Sequence, residues 1–448
     1  MTGRVQRRAL LQGAVGCAAW AWAEPSLALG RIPVGGELTF QIPHDTSVMN
    51  PHDLFDPLTA LIGGAVFEPV FRQDRAGNVY ASLAEGLPTR QGGGTRVRLR
   101  AGLVSARGRA LAARDLIESV ERARRGGASA VLLGIPEGKV DRSDGRVAVF
   151  SDVDPADLAQ ALSSPIVSLV STQSTSAQPD GTGAFRADLG REGLSLERNL
   201  HAARGSAFLR RIRITSASDM KASLRAFEAQ KADVGWLGAG LHQPRADAVA
   251  FDLGSVGWIV LRTGREAGTW NAPGVAQRLL DAIQPARLAH LGLGPLPSST
   301  TPVLWGGPAC KLIVPARSAH LVEVAATLAS ILSRPGHEVE MSALGPADFA
   351  SRRASRGYAL MVDVVRPVGP AGMASLVALA TADDVVRARS IVEHPPRLGS
   401  FDPRVLTRTL HLGVVGGLRV AGALAPWVVM AAAEEAQGWD LGAVYRRR

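Results

Sequence analysis

The segment that most restricts the fold of this chain runs from residue 310 to residue 365, where short apolar strands alternate with helices. Strands are predicted at 310–314, 338–341 and 358–365, and helices at 321–332 and 346–353. Pro346 stands at the first position of its helix, which tolerates a missing N–H group. Strands that alternate with helices in this way predict an α/β fold whose neighbouring strands run parallel.

A second informative stretch, residues 181–214, predicts a turn, a strand, a loop and another strand. A Gly-Thr-Gly turn that begins at Gly181 leads to Phe185, and apolar residues then alternate at Leu194 and Leu196. A further alternating strand covers 211–214. Because glycine allows a backbone path that is too tight for other residues, this stretch is expected to fold closely around another group, with Phe185 in the core.

Composition indicates an ordinary globular protein and argues against a nucleic-acid partner. The 448 residues are enough for two or three domains, and the chain is 46% hydrophobic and 20% charged. The formal charge of +10 includes three arginines near the N terminus and three at the C terminus, and the remainder is scattered. Nucleic-acid binding usually needs a clustered basic stripe or a recognisable motif, and the sequence has neither.

The N-terminal residues resemble an export signal of the twin-arginine type. Arg7 and Arg8 precede an apolar run at 10–23 that ends in small residues. Cleavage after Ala23 is expected, and the run is too short for a stable membrane-spanning helix. The protein is therefore expected in the periplasm. The alternative is a membrane-anchored lipoprotein modified at Cys17, although the lipobox before this cysteine is weak.

No motif for a metal, a cofactor or a disulfide stands out. The nine histidines are spread singly, and His44 and His52 flank a turn where a surface loop is expected rather than a metal site. The sequence has neither a dinucleotide-binding glycine motif nor a phosphate loop, so no cofactor is predicted. Cys310 is the one cysteine left after signal cleavage, and a buried thiol is predicted.

One serine–lysine pair has the spacing of a known nucleophile motif. Ser218 and Lys221 match the Ser-x-x-Lys pattern, and residues 262–264 (Arg-Thr-Gly) faintly resemble the Lys-Thr-Gly of penicillin-recognising enzymes. No third motif accompanies them. A helix capped by Ser216 or Ser218 explains the same residues, so an enzyme is not predicted, and Ser–Lys acyl transfer remains a minor alternative.

The order of several sequence blocks resembles that of solute-binding protein family 5, the oligopeptide-, dipeptide- and nickel-binding proteins of ABC importers. The blocks are, in chain order, GGELTF, NPHD, FEPVF, LAEGL, VRLRAGL, SVERA, GTGAF, LERN, SLRAFEAQKADVG and APGVAQRLLDAI. No single block is specific, but together they cover nearly the whole chain after the signal. Ala184 replaces the proline of the family's Gly-Thr-Gly-Pro-Phe turn.

The resemblance implies a two-lobed α/β fold of the periplasmic-binding-protein type (class II-like), with a ligand cleft between lobes that are joined by a two-strand hinge. Closure of the lobes over the ligand is a hinge motion. The predicted divisions are an export signal at 1–23, lobe I at 31–256 and 415–448, and lobe II at 257–414. The segment between 125 and 181 is short, which implies a compact member.

The resemblance also suggests where a ligand would bind. In peptide binders a tryptophan and an aspartate follow the second-lobe strand, and the aspartate pairs with the ligand's amino terminus; Val365 and Val368 align with them here. Arg366 beside them would favour a carboxylate or another anion, unless it is a solvated loop residue. The candidate ligand-binding residues are Asp53, Phe55, Asp56, Trp236, Trp305, Asp363 and Arg366.

The function implied by the resemblance is that of an exported, monomeric solute-binding protein without a catalytic step or a cofactor. It would bind a small-molecule or peptide-like ligand and deliver it to the transmembrane subunits of an ABC permease. Because the tryptophan–aspartate pair is missing, the alternative is a sensory or protein-interaction module that transports no solute.

Overall fold

The computed structural model describes residues 33–447 except 75, 238–246, 294–302, 370–371, 395–402 and 431–438. The predicted export signal at 1–23, with Cys17, therefore lies outside the described residues. Among the helices of the described ranges, none is both long and apolar enough to cross a membrane.

Strands account for most of the framework, and eighteen are present in the described part of the chain. They are β1 Glu37–Ile42, β2 Phe71–Gln73, β3 Val79–Ala81, β4 Thr89–Gln91, β5 Gly94–Arg98, β6 Gly138–Val140, β7 Val147–Ser151, β8 Phe185–Gly190, β9 Gly193–Arg198, β10 Arg211–Ser216, β11 Val234–Leu237, β12 Val249–Thr263, β13 Cys310–Pro315, β14 Val339–Leu344, β15 Leu360–Val365, β16 Leu412–Leu424, β17 Val428–Val429 and β18 Tyr445–Arg446.

The same ranges contain ten α-helices. They are α1 Pro57–Ile62, α2 Ala113–Ala123, α3 Pro155–Ala161, α4 Met220–Glu228, α5 Val275–Asp281, α6 Ala319–Leu332, α7 Pro346–Ser355, α8 Gly372–Asp383, α9 Val385–Glu393 and α10 Pro403–Thr407.

Ten of the strands form one sheet in the order β14-β13-β15-β12-β16-β11-β1-β10-β9-β8. β13 lies parallel between β14 and β15, and β1 lies parallel between β10 and β11. Helix α6 packs on β13 and β14, and α4 packs on β1 and β11. The α/β fold and the parallel strands predicted from residues 310–365 are therefore confirmed. Cys310, at the start of β13, is half-buried rather than buried as predicted.

Two long antiparallel strands, β12 and β16, lie in the middle of this sheet. Their pairing extends from Val249 opposite Leu424 to Arg262 opposite Leu412, and its register shifts between Asp252 and Gly257 and again between Ile259 and Val260. The apolar residues of the sequence predict two separate strands here, at 248–251 and 257–261, whereas the structure has one strand. That prediction was wrong because an irregularity in the pairing interrupts the period-two alternation without ending the strand.

The long strands lie between two halves of the molecule. The first half comprises the described residues of 33–237 and 425–447, with β1 and β8 to β11, and the second half comprises those of 264–411, with β13 to β15. The predicted lobe boundaries, 256/257 and 414/415, fall within β12 and β16. The assignment of these halves as ligand-closing lobes stays a prediction.

A smaller sheet, with the order β4-β5-β7-β6, belongs to the first half. Helix α2 packs on β6 and β7, and buries Leu116 and Val120. The apolar core of this region continues into Val365 and Val377 of the second half. Apolar packing therefore crosses between the halves on this side of the molecule.

Aspartate side chains cap four of the described helices, namely α1, α3, α4 and α9. The Asp154 side chain caps α3 by accepting the amide hydrogen of Ala156 at 2.8 Å. Helix α4 is capped by Asp219, which accepts from the Ala222 amide at 2.7 Å. The cap predicted at Ser216 or Ser218 was wrong, because Asp219 is the residue directly before the helix and the Ser218 hydroxyl donates to its carboxylate.

The stretch 181–214 forms the β8–β9 hairpin and most of β10, as predicted. A Cβ atom on Gly181 would lie 2.2 Å from the Val66 carbonyl oxygen, and one on Gly183 would lie 2.5 Å from the Ala65 carbonyl oxygen. Phe185 is fully buried. The stretch thus packs closely against the chain that follows α1.

Candidate functional site

The loop that follows β1, residues 43–56, lies at the boundary between the two halves. It ends where the buried Asp56 caps α1. The Asp56 carboxylate accepts hydrogen bonds from the Asn50 amide at 2.8 Å, the Thr59 amide at 3.1 Å and the Thr59 hydroxyl at 2.5 Å. Burial raises the pKa of Asp56 above its ordinary value. These contacts hold the end of the loop within the first half.

Arg366, directly after β15, ties the second half to this loop. Its side chain is buried, and Nη1 donates to the carbonyl oxygens of Pro51 at 3.1 Å and Asp53 at 3.2 Å. Its backbone N–H donates to the Leu54 carbonyl oxygen at 2.9 Å. The alternative of a solvated loop residue is therefore wrong. Burial lowers the pKa of Arg366 below its ordinary value, opposed by the charges of Asp56 and Asp53.

Asp363, inside β15, is a buried carboxylate between two arginines. Its Oδ2 lies 3.6 Å from Nη1 of Arg262 in β12 and 3.6 Å from Nη1 of Arg353 in α7. Within the described residues, Oδ2 has no hydrogen-bond partner, and the same holds for Nη1 of Arg262. Burial raises the pKa of Asp363, and the two guanidinium groups oppose that rise. The carboxylate is thus already paired by the chain's own cations.

Phe55, which lies in the 43–56 loop of the first half, contacts the same two arginines. The guanidinium carbon of Arg353 lies 4.3 Å from the centre of the Phe55 ring, and that of Arg262 lies 5.5 Å away. Both distances are within the range of a cation–π contact. Oδ2 of Asp53 also approaches Nη2 of Arg353 at 4.0 Å. Asp53, Phe55 and Asp363 are therefore connected through one arginine.

A second set of contacts crosses between the halves at the start of the loop. Nδ1 of His44 and Oγ of Ser318 share a hydrogen bond of 2.8 Å, and the His320 N–H donates to the Pro43 carbonyl oxygen at 3.0 Å. The two imidazole rings lie edge to face, with centres 5.7 Å apart. Burial lowers the pKa of His44 to about 3 and that of His320 to about 4, so both rings are neutral at pH 7.

The two histidines that were expected in a surface loop are both buried. His44 is 1% exposed and His52 is 4% exposed. Nδ1 of His52 donates to the Ile166 carbonyl oxygen at 2.9 Å, and burial lowers the pKa of His52 to about 4. The expectation was wrong because both side chains bond to distant parts of the chain, His44 to Ser318 and His52 to Ile166. The described residues contain no group of three or more His, Cys, Asp or Glu side chains arranged to hold a metal ion.

The two candidate tryptophans lie elsewhere, in the main core. Trp236 is 2% exposed and stacks with Phe40 at 6.4 Å between ring centres. Trp305 is fully buried, donates from Nε1 to the Pro308 carbonyl oxygen at 3.0 Å and packs on Trp270 at 5.2 Å. The structure thus brings together the candidates in the loop and around β15 and does not bring the tryptophans to them. A ligand contact for either tryptophan stays a prediction.

The arginines that connect this cluster were not among the predicted site residues. Arg353 is in the last turn of α7, directly beside the half-exposed Arg352, and Arg262 lies in the long strand β12. Basic residues are common in the last turn of a helix, so nothing local distinguishes Arg353 from its neighbour. Only the packing of the 43–56 loop against β15 and α7 identifies it.

Sequence comparisons found no match: no family model and no curated protein matches the chain. The fold, in contrast, is similar to many solved structures. The oligopeptide-binding protein AppA from Bacillus subtilis, in complex with a nonapeptide, superposes with a TM-score of 0.68 at 12% identity, covering 93% of this chain and 100% of that chain.

Two further structures show similar agreement. NikA from Staphylococcus aureus, in complex with Ni(L-His)2, has a TM-score of 0.64 at 14% identity and covers 92% of this chain and 100% of its own. The binding protein AgaA from A. tumefaciens, in complex with agropinic acid, has a TM-score of 0.65 at 14% identity, with coverage of 92% and 99%. The resemblance predicted from the sequence blocks is therefore confirmed for the fold, and the chain has the fold of the family 5 solute-binding proteins.

Proposed function

We propose that this protein is the solute-binding component of an ABC importer, which holds a small organic or peptide-like ligand between its two halves and delivers it to the permease. The observation that carries this proposal is the agreement of fold over more than nine-tenths of the chain with AppA and NikA. AppA holds a nonapeptide and NikA holds a nickel–histidine complex, so the shared fold supports a ligand-binding role for chemically different ligands.

The expected working form is an exported periplasmic monomer without catalysis. The proteins of similar fold named above are binding proteins, which supports a non-enzymatic role. The Ser–Lys acyl-transfer alternative loses support, because the Ser218 hydroxyl donates to Asp219 at 3.2 Å. Asp219 in turn caps α4, which gives these residues a structural explanation.

The charges around Asp363 bear on the class of ligand. A carboxylate that already has Arg262 and Arg353 at 3.6 Å gains little from a ligand ammonium group, because its negative charge is compensated within the protein. A ligand that depends on a free amine is therefore disfavoured, in line with the loss of the family's aspartate at the position of Val368. The proposal favours a ligand that is neutral or anionic where it faces β15.

The experiment that tests the function begins with native mass spectrometry of the protein purified from its own host, to identify any small molecule that co-purifies. The ligand is then removed by unfolding and refolding, and a thermal-shift screen follows with pools of peptides, opines, sugars and metal chelates. A ligand at 100 times its dissociation constant stabilises the folded protein by about 2.7 kcal/mol. The importer proposal fails if neither measurement finds a ligand.

A second candidate function is a sensory or protein-interaction module that transports no solute. It is favoured by one observation: Phe55, Arg353 and Arg366 join the two halves through the chain's own groups. Affinity purification of the full-length protein would separate the two candidates, because an importer component is expected to recover permease subunits and a sensory module is expected to recover a receptor or kinase instead.

A further inference from the structure

We propose that the 43–56 loop is a built-in fastener, which holds the two halves together through contacts at both of its ends without requiring a ligand. This inference goes beyond the proposed function and does not depend on it. It rests on contacts made between the two halves by the chain's own main-chain and side-chain groups.

The end of the loop is fastened by Arg366. A buried guanidinium must satisfy its donors, and here Nη1 is directed at the carbonyl oxygens of Pro51 and Asp53. The backbone N–H of Arg366 donates to the Leu54 carbonyl oxygen and so holds the same end of the loop. Separation of the halves would break all three bonds, and the guanidinium group would then have to be solvated by water.

Phe55 strengthens the same fastening through Arg353. The ring lies 4.3 Å from the guanidinium carbon, and the same arginine approaches the carboxylates of Asp53 and Asp363. Arg353 therefore contacts the loop and β15 at the same time. Because the Arg353 side chain is 21% exposed, replacing this residue does not open a cavity in the core.

The start of the loop is fastened to α6. His320 is the second residue of this helix, and the first four N–H groups of an α-helix have no partner within the helix. Its N–H instead donates to the Pro43 carbonyl oxygen at 3.0 Å. Arg317, just before the helix, donates to the Ser47 hydroxyl at 2.9 Å and lies 3.7 Å from the Asp45 carboxylate.

Two consequences follow from fastening one short loop at both ends. Full separation of the halves would have to break both sets of contacts, at Arg366 and at α6. A ligand is then not the sole source of the closed arrangement; it changes the equilibrium only by its difference in affinity between the closed and open forms.

Amide hydrogen exchange tests the fastener directly in the full-length protein. The protein is unfolded in guanidinium chloride, dialysed to remove bound solutes and refolded. Exchange is then followed at the Arg366 and His320 amides, which donate to the Leu54 and Pro43 carbonyl oxygens of the other half. Both amides are expected to exchange roughly 100-fold or more slowly than in an unfolded chain. Exchange at the unprotected rate at both amides would overturn the proposal.

Variants of neighbouring arginines supply the matched control. Arg353→Ala removes the contacts with Phe55, Asp53 and Asp363, and is expected to accelerate exchange at Arg366 about five- to tenfold. Arg352→Ala, on the same helix, removes a contact with Glu266 within the second half and is expected to leave exchange at Arg366 unchanged. Equal effects of the two variants, or none from Arg353→Ala, would contradict the proposal.

A second variant tests the proposal in case Arg353→Ala does not fold. Phe55→Leu keeps an apolar side chain and removes the ring, so it is expected to produce the same change at Arg366 with the amides between β12 and β15 unaffected. All of these samples are free of solute, so hydrogen exchange tests the fastener alone. The transported ligand is tested separately, by mass spectrometry and thermal shift.

Discussion

Arg366 donates from its guanidinium group to the carbonyl oxygen of Pro51, and this bond joins the end of β15 to the loop that follows β1. The two residues are more than 300 positions apart in the chain. Because the arginine is buried and its backbone also bonds to Leu54, the contact belongs to the packed interior between the halves. Loss of this contact is therefore expected to lower the stability of the folded protein.

Arg366→Met is expected to destabilise the protein by about 1–3 kcal/mol, because it leaves buried carbonyl oxygens without their donor. Urea denaturation of the refolded protein measures the change in the free energy of unfolding. The control is Arg352→Met, which alters a half-exposed side chain and is expected to change stability by no more than about 0.5 kcal/mol. Equal stability of the two variants would contradict the structural role of Arg366.

The pair formed by His44 and His320 is expected to make the protein less stable in acid. The folded-state pKa values are lowered from 6.5 to about 3 and about 4, so folding favours the neutral rings. Their contribution is fully present above pH 6.5 and is lost as the pH falls from 6.5 towards 4. By linkage, each ring contributes on the order of 2 kcal/mol to the loss between pH 6.5 and pH 5.

This pH dependence is best measured as a difference between wild type and His320→Gln. Buried carboxyl groups act in the opposite direction, since burial raises the pKa of Asp56, Asp363 and Glu68, the last to about 7. Their contribution is common to both proteins and cancels in the difference. Urea midpoints at pH 7 and pH 5 should fall less in the variant than in wild type, and an identical fall would show that the His320 ring is not responsible.

Gly183→Ala is expected to cost about 1–3 kcal/mol, because the new methyl group would lie 2.5 Å from the Ala65 carbonyl oxygen. Gly145→Ala is the matched control, since a Cβ there has no described neighbour within 4 Å. Thermal and urea denaturation of both variants give the comparison. A small effect of Gly183→Ala would mean that the chain between α1 and β2 moves easily, contrary to the close packing of this turn.

Any peptide that binds is expected to bind equally well with and without a free amino terminus. Asp363 is already paired with Arg262 and Arg353, so it offers no unpaired charge to an ammonium group. Thermal shifts measured with free and N-acetylated forms of the same peptide should agree. A shift that disappears on acetylation would show that a carboxylate of the cleft recognises the amine.

Much of the framework followed from local sequence patterns. The apolar periodicity of 310–365 predicted parallel strands, and the glycines at 181 and 183 predicted a close approach that the structure places against Val66 and Ala65. Both features depend on residues that are near each other in the chain. The single strand β12 was missed because a bulge interrupts its alternation.

The candidate site was predicted less completely, because its contacts join distant parts of the chain. Asp53, Phe55, Asp363 and Arg366 were named from the resemblance, and they do lie together, but Arg353 was not named. Its position in the last turn of a helix has the same local signature as that of Arg352. Whether a lone histidine or arginine is buried is likewise decided by tertiary packing, which the alternation of apolar residues does not reveal.

The pairing of β12 and β16 is irregular in the region that joins the two halves. The register shifts near Gly254, whose φ of +85° is seldom adopted by other residues, and it shifts again between Ile259 and Val260. Twisting of one half against the other would therefore concentrate at these irregular positions. The contacts of the 43–56 loop with Arg366, α6 and α7 would oppose that twisting.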